Sequence, residues 1–221
     1  MTTTATAPSD EAVDSSTTEA AGVPRRRRAT HVVGLAAAAV LTVFGVGAIA
    51  KGLDGRATVR DALTRERVVG SSHMTPAAIA AKASEAGLRD VPLPSCSVAG
   101  KAVVDGASAR CFAQYMRIDA LMGTRGATYA EMPRFATADG RGTNDPAAAQ
   151  EGPDGQPLNN PARSVWVTQT ALATALNTSY MAEQISLFGI AVGAAFLLIG
   201  CGCAVLTIAR LRESSAAAQP T

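Results

Sequence analysis

Two long apolar runs dominate the pattern of hydrophobic and polar positions along this 221-residue chain. The run at 185–209 contains no charged residue and no proline, and the run at 32–50 is similarly apolar. Each is close to the about 20 helical residues that cross a bilayer. We therefore predict transmembrane helices over 31–50 and 185–209, joined as a hairpin by the intervening segment 51–184.

The first apolar run could be a cleavable secretory signal or a retained anchor. An arginine cluster before it and Ala48-Ile49-Ala50 at its end resemble a signal peptide. However, the run is longer than the roughly 7–15 apolar residues of a signal, and a long polar segment precedes it. We interpret it as a retained membrane anchor.

Basic residues flank both apolar runs on the sides away from segment 51–184. In bacterial membrane proteins such residues stay in the cytoplasm, so both termini are expected inside and segment 51–184 outside. Lys51 and Arg56 lie on the opposite side of the first run and oppose this orientation, but four arginines outweigh them. The orienting residues are Arg25, Arg26, Arg27 and Arg28 before the first run, and Arg210 and Arg212 after the second.

Composition is consistent with a small membrane protein. Only 17% of the residues are charged and 4% are aromatic, and the formal charge is +2. The frequent alanine and the preference for arginine over lysine suggest a bacterial chain and hence the plasma membrane. Segment 51–184 has nearly balanced charge, which gives no indication of a nucleic-acid partner. The polar tail 1–28 has few apolar residues and is expected to be disordered in the cytoplasm, with a second tail at 210–221.

Segment 51–184 shows helical patterns, so we predict a mainly α fold. The first two helices are expected at 58–69 and 76–86, the second between an N-cap at Thr75 and a stop at Gly87. Asp105 should cap a third helix, at 107–122. From Ser164 onward no glycine or proline interrupts the pattern before the second span, which predicts one long helix running into it. The Gly-, Pro- and Asp-rich segment 138–161 is expected to be a mobile loop.

Cys96 and Cys111 lie in the segment assigned to the exterior, where oxidation makes a disulfide the expected state. Closing about 15 residues would contribute roughly 3 kcal/mol in the chain-entropy model. The alternative is two unpaired, buried cysteines. A metal site is disfavoured because His73 stands alone and no C-x-x-C spacing occurs. We therefore predict an extracytoplasmic helical domain stapled by one disulfide.

Small residues recur at four-residue spacing in both apolar runs: Gly34 and Ala38 in the first, Gly189 and Gly193 in the second. Such rows let helices approach closely. They predict pairing of the two spans or a homodimer interface, although small residues are also common in membrane helices of this composition. Neither run contains an ionisable Asp, Glu, Lys, Arg or His, which disfavours an ion or proton pathway.

The runs 162–172 (ARSVWVTQTAL) and 175–184 (ALNTSYMAEQ) resemble a group of uncharacterised actinobacterial two-span membrane proteins, as do Tyr115 and the stretch 128–131 (TYAE). The resemblance implies a bacterial plasma-membrane protein with an external region. Some of these relatives carry a label of aromatic ring-opening dioxygenase. A non-haem iron site needs two histidines and a carboxylate on one face, whereas this chain has only His31 and His73.

Three classes of function are compatible with this organisation. We expect a non-enzymatic envelope interaction or assembly protein, with the lipid bilayer and a protein partner or second copy as its contacts. An accessory or sensory subunit, signalling through the cytoplasmic tail, is the alternative. An enzyme is disfavoured because the ionisable and nucleophilic candidates lack any catalytic motif around them, and the sequence predicts no cofactor and no small-molecule ligand. Those candidates are Asp61, Glu66, His73, Ser95 and Glu131.

Overall fold

The computed structural model describes the backbone of residues 23–216 and the side chains of residues 30–213. The described residues are mainly helical, as predicted, and form four α-helices and one short 3₁₀ helix, Pro146–Ala148. Residues 1–22 of the predicted disordered tail 1–28 lie outside the described residues. The α-helices are α1 (Val23–Glu66), α2 (Pro76–Glu85), α3 (Gly106–Gly123) and α4 (Pro161–Ala216).

Helices α1 and α4 are both long and apolar enough to cross a membrane, which confirms the two predicted spanning candidates at that level. Both helices extend well beyond the apolar runs, with 44 residues in α1 and 56 in α4. The predicted long helix leading into the second run is confirmed, since α4 is continuous from Pro161. The described residues divide into two compact units, one built from 23–47 and 193–216 and the other from 48–192.

Two predicted boundaries of α1 are wrong. The helix expected at 58–69 is part of α1, which continues without interruption and ends at Glu66 instead of residue 69. The weakest helix formers between the apolar run and residue 58 are the glycines at 52 and 55. Each costs about 1 kcal/mol of helix stability relative to alanine, which is too little to end a helix that packs along its length. At the other end α1 begins at Val23, so residues 23–28 are helical rather than disordered. Pro24 suits a first turn, and arginine is a good helix former.

In the unit built from 23–47 and 193–216, α1 and α4 approach each other at small residues. A Cβ atom on Gly34 would lie 2.7 Å from Thr207 Oγ1, and one on Gly45 would lie 2.8 Å from the Gly193 carbonyl oxygen. Ala38 is only 4% exposed. The predicted small residues Gly34, Ala38 and Gly193 therefore lie between the two helices of the same chain. Because their side chains are small or absent, the two backbones can come close together.

Gly189 contributes less to helix pairing than its G-x-x-x-G spacing suggested. It belongs to the unit formed by residues 48–192, where its added Cβ would lie 3.8 Å from the Ala48 carbonyl oxygen, an ordinary contact. Gly200, which the spacing argument did not single out, is closer: its Cβ would lie 3.0 Å from Thr42 Oγ1 and 3.1 Å from the Ala38 carbonyl oxygen. The tight positions are thus set by helix rotation and not by the motif alone.

The unit formed by residues 48–192 has its core between α2, α3 and the segments that precede α3. Tyr115, Ile79, Ile118 and Val103 are its fully buried large side chains. The predicted disulfide between Cys96 and Cys111 is confirmed, with a Cα–Cα separation of 6.1 Å. It joins α3 to the extended chain after α2, on the edge of the same core.

The predicted helix caps in this unit are confirmed. Thr75 Oγ1 accepts a hydrogen bond from the Ala78 amide at 3.3 Å, and Gly87 ends the α2 region with φ +71°. Asp105 caps α3 by accepting from the Ser108 amide at 2.8 Å, while Ser108 Oγ accepts from the Asp105 amide at 3.1 Å. This reciprocal capping box fixes where α3 begins.

The predicted loop 138–161 contains the short 3₁₀ helix and several cross-chain backbone hydrogen bonds. The Ala136 amide donates to the Leu158 carbonyl at 2.8 Å, and the Gln150 amide donates to the Ala136 carbonyl at 2.9 Å. Asp139 accepts hydrogen bonds from Thr137 and Arg141, which lower the pKa of its carboxyl below the ordinary range. Its carboxylate thus stabilises the turn at 137–141 through hydrogen bonds to neighbouring residues.

The close approach at Gly45 predicts a matched pair of variants. Gly45→Leu should destabilise helix pairing by about 1–3 kcal/mol, because the added side chain overlaps the Gly193 carbonyl oxygen and Leu197. Gly47→Leu is the control, since a Cβ at Gly47 meets no heavy atom within 4 Å. Thermal unfolding of both variants in detergent, followed by far-ultraviolet circular dichroism, should show a lower Tm for Gly45→Leu only. Equal Tm values would contradict the close approach.

Candidate functional site

The carboxylate of Glu183 joins three helices in the unit formed by residues 48–192. Its side chain is 11% exposed, and its Oε1 accepts from Arg56 Nε and Nη2, both at 3.2 Å. Its Oε2 accepts from the Gly106 amide at 2.6 Å. A nearly buried carboxylate needs a charged partner and hydrogen bonds to offset its desolvation, and here α1 supplies the first and α3 the second. Glu183 therefore fixes the start of α3 against α1 and α4.

Gly106 makes this arrangement possible because it leaves room for Glu183. A Cβ on Gly106 would lie 2.7 Å from Glu183 Oε2 and 2.8 Å from Tyr180 Cα. The negative carboxylate at the first amide of α3 also suits the positive end of the helix dipole. Next to this contact the Arg110 guanidinium lies 4.6 Å from the centre of the Tyr180 ring, so the α3–α4 contact continues along both helices.

Sequence reasoning missed this cluster. It treated Arg56 only as a charge on the unexpected side of the first span, and it assigned no role to Glu183. Two charges in the sequence could have pointed to it. Glu183 is the acidic residue directly before the second apolar run, and Arg56 is the first arginine after the first run. Partners 127 residues apart cannot be paired from one sequence without knowing that the two helices meet.

A groove of about 220 Å³ lies between the exposed face of α3 and the first half of α4. Its wall is Trp166, which is 9% exposed, and the Arg117 guanidinium lies 6.0 Å from the centre of that ring. Small residues on both helices leave the space unfilled. The lining residues are Ala113, Gln114, Arg117, Ala120, Trp166, Gln169, Thr170, Ala173, Thr174 and Asn177.

The chemistry of this groove is cationic and partly unsatisfied. Arg117 is the one charged residue among those that line it, and no carboxylate within the described residues pairs with it. Gln169 Oε1 is buried and accepts no hydrogen bond from any described residue. An unsatisfied buried amide oxygen costs about 1–3 kcal/mol. The groove therefore has a cation and an aromatic wall, and beside them lies a buried amide oxygen that accepts no hydrogen bond from the described residues. We take it as the candidate functional site.

Two of the residues that the sequence offered as catalytic candidates, His73 and Glu131, have polar partners of their own and do not meet each other's. His73 Nε2 lies 3.3 Å from Asp119 Oδ2, and Glu131 accepts from the Thr128 amide at 2.7 Å and from its hydroxyl at 2.8 Å. These hydrogen bonds lower the pKa of Glu131. Within the described residues no three His, Cys, Asp or Glu side chains cluster as a metal site.

The residues predicted to orient the protein lie at the ends of the two long helices. The arginines at 25–28 fall in the first turns of α1, where the backbone alone is described, and Arg210 and Arg212 fall near the end of α4. Cys201 and Cys203, also in α4, are free thiols.

No protein-family model, curated protein or solved structure matches this chain. The function is therefore inferred from its own residues.

The contact at Gly106 predicts a strong effect of one methyl group. Gly106→Ala should destabilise the unit formed by residues 48–192 by about 1–3 kcal/mol, because its Cβ overlaps Glu183 and the α4 backbone. Gly123→Ala, at the other end of α3, meets no atom within 4 Å and should be neutral or slightly stabilising. Thermal unfolding followed by fluorescence of Trp166, the single tryptophan of the chain, should separate the two. A neutral Gly106→Ala would rule out the tight contact.

The Asp105 cap predicts a change in acid stability. Hydrogen bonds from the Ser108 amide and hydroxyl hold the pKa of Asp105 below its ordinary value of 3.8. Because the folded-state pKa is the lower one, the stabilisation is present above the ordinary value and is lost as the pH falls through the folded-state pKa. Asn caps helices about as well as Asp but does not titrate.

Asp105→Asn should therefore keep the Tm at neutral pH and show a smaller Tm decrease in acid than the unsubstituted protein. Asp105→Ala, in contrast, should lose about 1 kcal/mol at neutral pH, because it removes the cap. The measurement is the Tm from Trp166 fluorescence, from neutral pH to below the ordinary aspartate pKa. Identical acid profiles for Asp105→Asn and the unsubstituted protein would be the contrary result.

Proposed function

We propose that this chain is an integral plasma-membrane protein of a bacterial envelope. In this proposal its two spans hold a disulfide-stapled helical domain outside the cell, where the domain binds a partner instead of catalysing a reaction. The observation that carries the proposal is the Cys96–Cys111 disulfide in the segment between two apolar helices. Disulfides persist in oxidising compartments and are rare in the cytoplasm, so this segment belongs on the outer side.

The distribution of arginine supports the same orientation. The arginines at 25–28 precede the first apolar run, and Arg210 and Arg212 follow the second, so the positive-inside rule places both termini in the cytoplasm. The resemblance of 162–172 and 175–184 to two-span actinobacterial membrane proteins is consistent with this arrangement. Charge and redox chemistry are independent arguments, and both favour an external segment 51–184.

Binding is favoured over catalysis by how the polar groups are used. Glu183, the most buried carboxylate described, is fully occupied by Arg56 and Gly106. Asp105 and Glu131 are engaged by the residues that follow or precede them in the chain. The groups without a protein partner instead lie at the groove between α3 and α4, where Arg117 is exposed and the buried Gln169 carbonyl oxygen accepts no hydrogen bond from the described residues. This use of polar groups is what we expect if the chain is an interaction or assembly protein that recognises a partner.

The topology predicts which cysteines an impermeant reagent reaches. In a Cys201→Ala/Cys203→Ala background, intact cells treated with a membrane-impermeant maleimide should label Cys96 and Cys111 only after reduction. The reason is that an external disulfide is accessible but has no thiol until it is opened. The measurement is the mass increase of the purified chain.

Ser215→Cys, in the same background with both Cys96 and Cys111 replaced by Ser, is the matched control for the cytoplasmic side. It should react only after lysis. Reaction of Cys96 and Cys111 only after lysis and without reductant would refute the proposal, because the loop would then be cytoplasmic and its thiols free.

A further inference from the structure

The groove between α3 and α4 contains groups that the fold itself does not use. Arg117 is exposed and without a carboxylate partner among the described residues, although its chemistry suits paired hydrogen bonds to an anionic group. Trp166 next to it is packed against the core and presents an apolar wall. Three residues after Trp166 on the same face of α4 comes Gln169, whose buried carbonyl oxygen has no donor among the residues that the structure describes.

The three groups specify complementary features in an occupant. The Arg117 guanidinium would pair with a carboxylate or a similar anion. The Gln169 carbonyl oxygen is buried, and it would accept a hydrogen bond from an N–H of the occupant after its amide turns towards the groove. Trp166, with the methyl groups of Ala113, Ala120 and Ala173, calls for a small apolar group between them. A carboxylate, an amide N–H and a small side chain occur together on the last residue of a peptide.

The volume restricts the occupant further. About 220 Å³ is below the roughly 300–1,000 Å³ of pockets that enclose drug-sized ligands or cofactors. The groove is open to solvent along one side, so it accommodates the end of a chain whose remainder stays outside. A second helix packed there would leave Arg117 facing apolar surface, which makes helix docking the less favourable use.

We propose that this groove binds the carboxylate end of a peptide chain. The terminal carboxylate pairs with the Arg117 guanidinium, the terminal amide N–H donates to the Gln169 carbonyl oxygen, and a small terminal side chain lies against Trp166. This inference rests on the proposed function in one respect: the proposed topology decides that the peptide ends are encountered on the outer face of the membrane. Binding itself is a property of the purified chain in detergent.

N-acetyl-L-alanine is the smallest probe with all three features, and N-acetyl-L-alaninamide is its neutral counterpart. Trp166 is the single tryptophan, so its fluorescence reports the groove directly, and equilibrium dialysis with the labelled probe gives a second readout. For so few atoms, saturable binding is expected at millimolar concentration. The amide should bind about tenfold more weakly, because it lacks the charge-assisted pair with Arg117.

Two variants test the named contacts. Arg117→Gln should weaken N-acetyl-L-alanine binding about tenfold, whereas Arg89→Gln removes an exposed arginine outside the groove and should leave the affinity unchanged. Gln169→Leu should weaken binding severalfold. It should not lower the Tm, because it replaces an unsatisfied buried amide oxygen by carbon. A stable protein with a weaker site distinguishes a binding role from a structural one.

Several results would overturn the inference. These are the absence of saturable binding by both readouts, equal affinity for the acid and the amide, or equal effects of Arg117→Gln and Arg89→Gln. A large Tm loss in Gln169→Leu would show that this side chain serves the fold instead. Thiol labelling of whole cells tests the topology separately, so a failed titration with correct labelling rejects the ligand and leaves the membrane proposal intact.

Discussion

One carboxylate determines how the helices of the unit formed by residues 48–192 are held. Glu183 is nearly buried, and its two oxygens are divided between the Arg56 guanidinium and the Gly106 amide. Leaving such a charge without its partner costs about 3–5 kcal/mol, so α1, α3 and α4 cannot separate cheaply at this point. The same contact demands glycine at 106, because any side chain there would occupy the position of the carboxylate.

The remaining restraints on α3 follow from that fixed starting point. The capping box at Asp105 sets where the helix begins, and the disulfide to Cys96 holds its second turn. Tyr115, buried one turn later, donates to the Cys96 carbonyl oxygen at 2.6 Å; burial raises the pKa of its phenol, so it remains a donor. A domain with few aromatic residues thus relies on polar and covalent restraints where a larger core would rely on packing.

Features set by neighbouring residues were predictable from the sequence. Thr75, Gly87 and Asp105 act within a few positions of themselves, and the two cysteines followed from compartment chemistry. The continuity of α1 was not predicted, because the apolar run and the helical pattern at 58–69 were treated apart; the structure shows that the glycines between them pack closely against α4. A residue's distant partners depend on which helices meet, and this depends on the whole fold.

The groove between α3 and α4 could not be predicted from the sequence either, because its residues come together only in the fold. Nothing in the spacing of Arg117, Trp166 and Gln169 marks a site, because these residues come from helices that are separated by a long loop. They are of interest because of three features around them: alanines that do not fill the space, a cation that no described carboxylate pairs, and an amide oxygen that no described residue donates to. A carboxylate on α3, for example at 114, about one helical turn before Arg117, would give that cation a partner within the fold. A buried amide oxygen without a donor costs about 1–3 kcal/mol, and this cost, together with a cation that no described carboxylate pairs, is the physical ground on which an occupant of the groove is proposed.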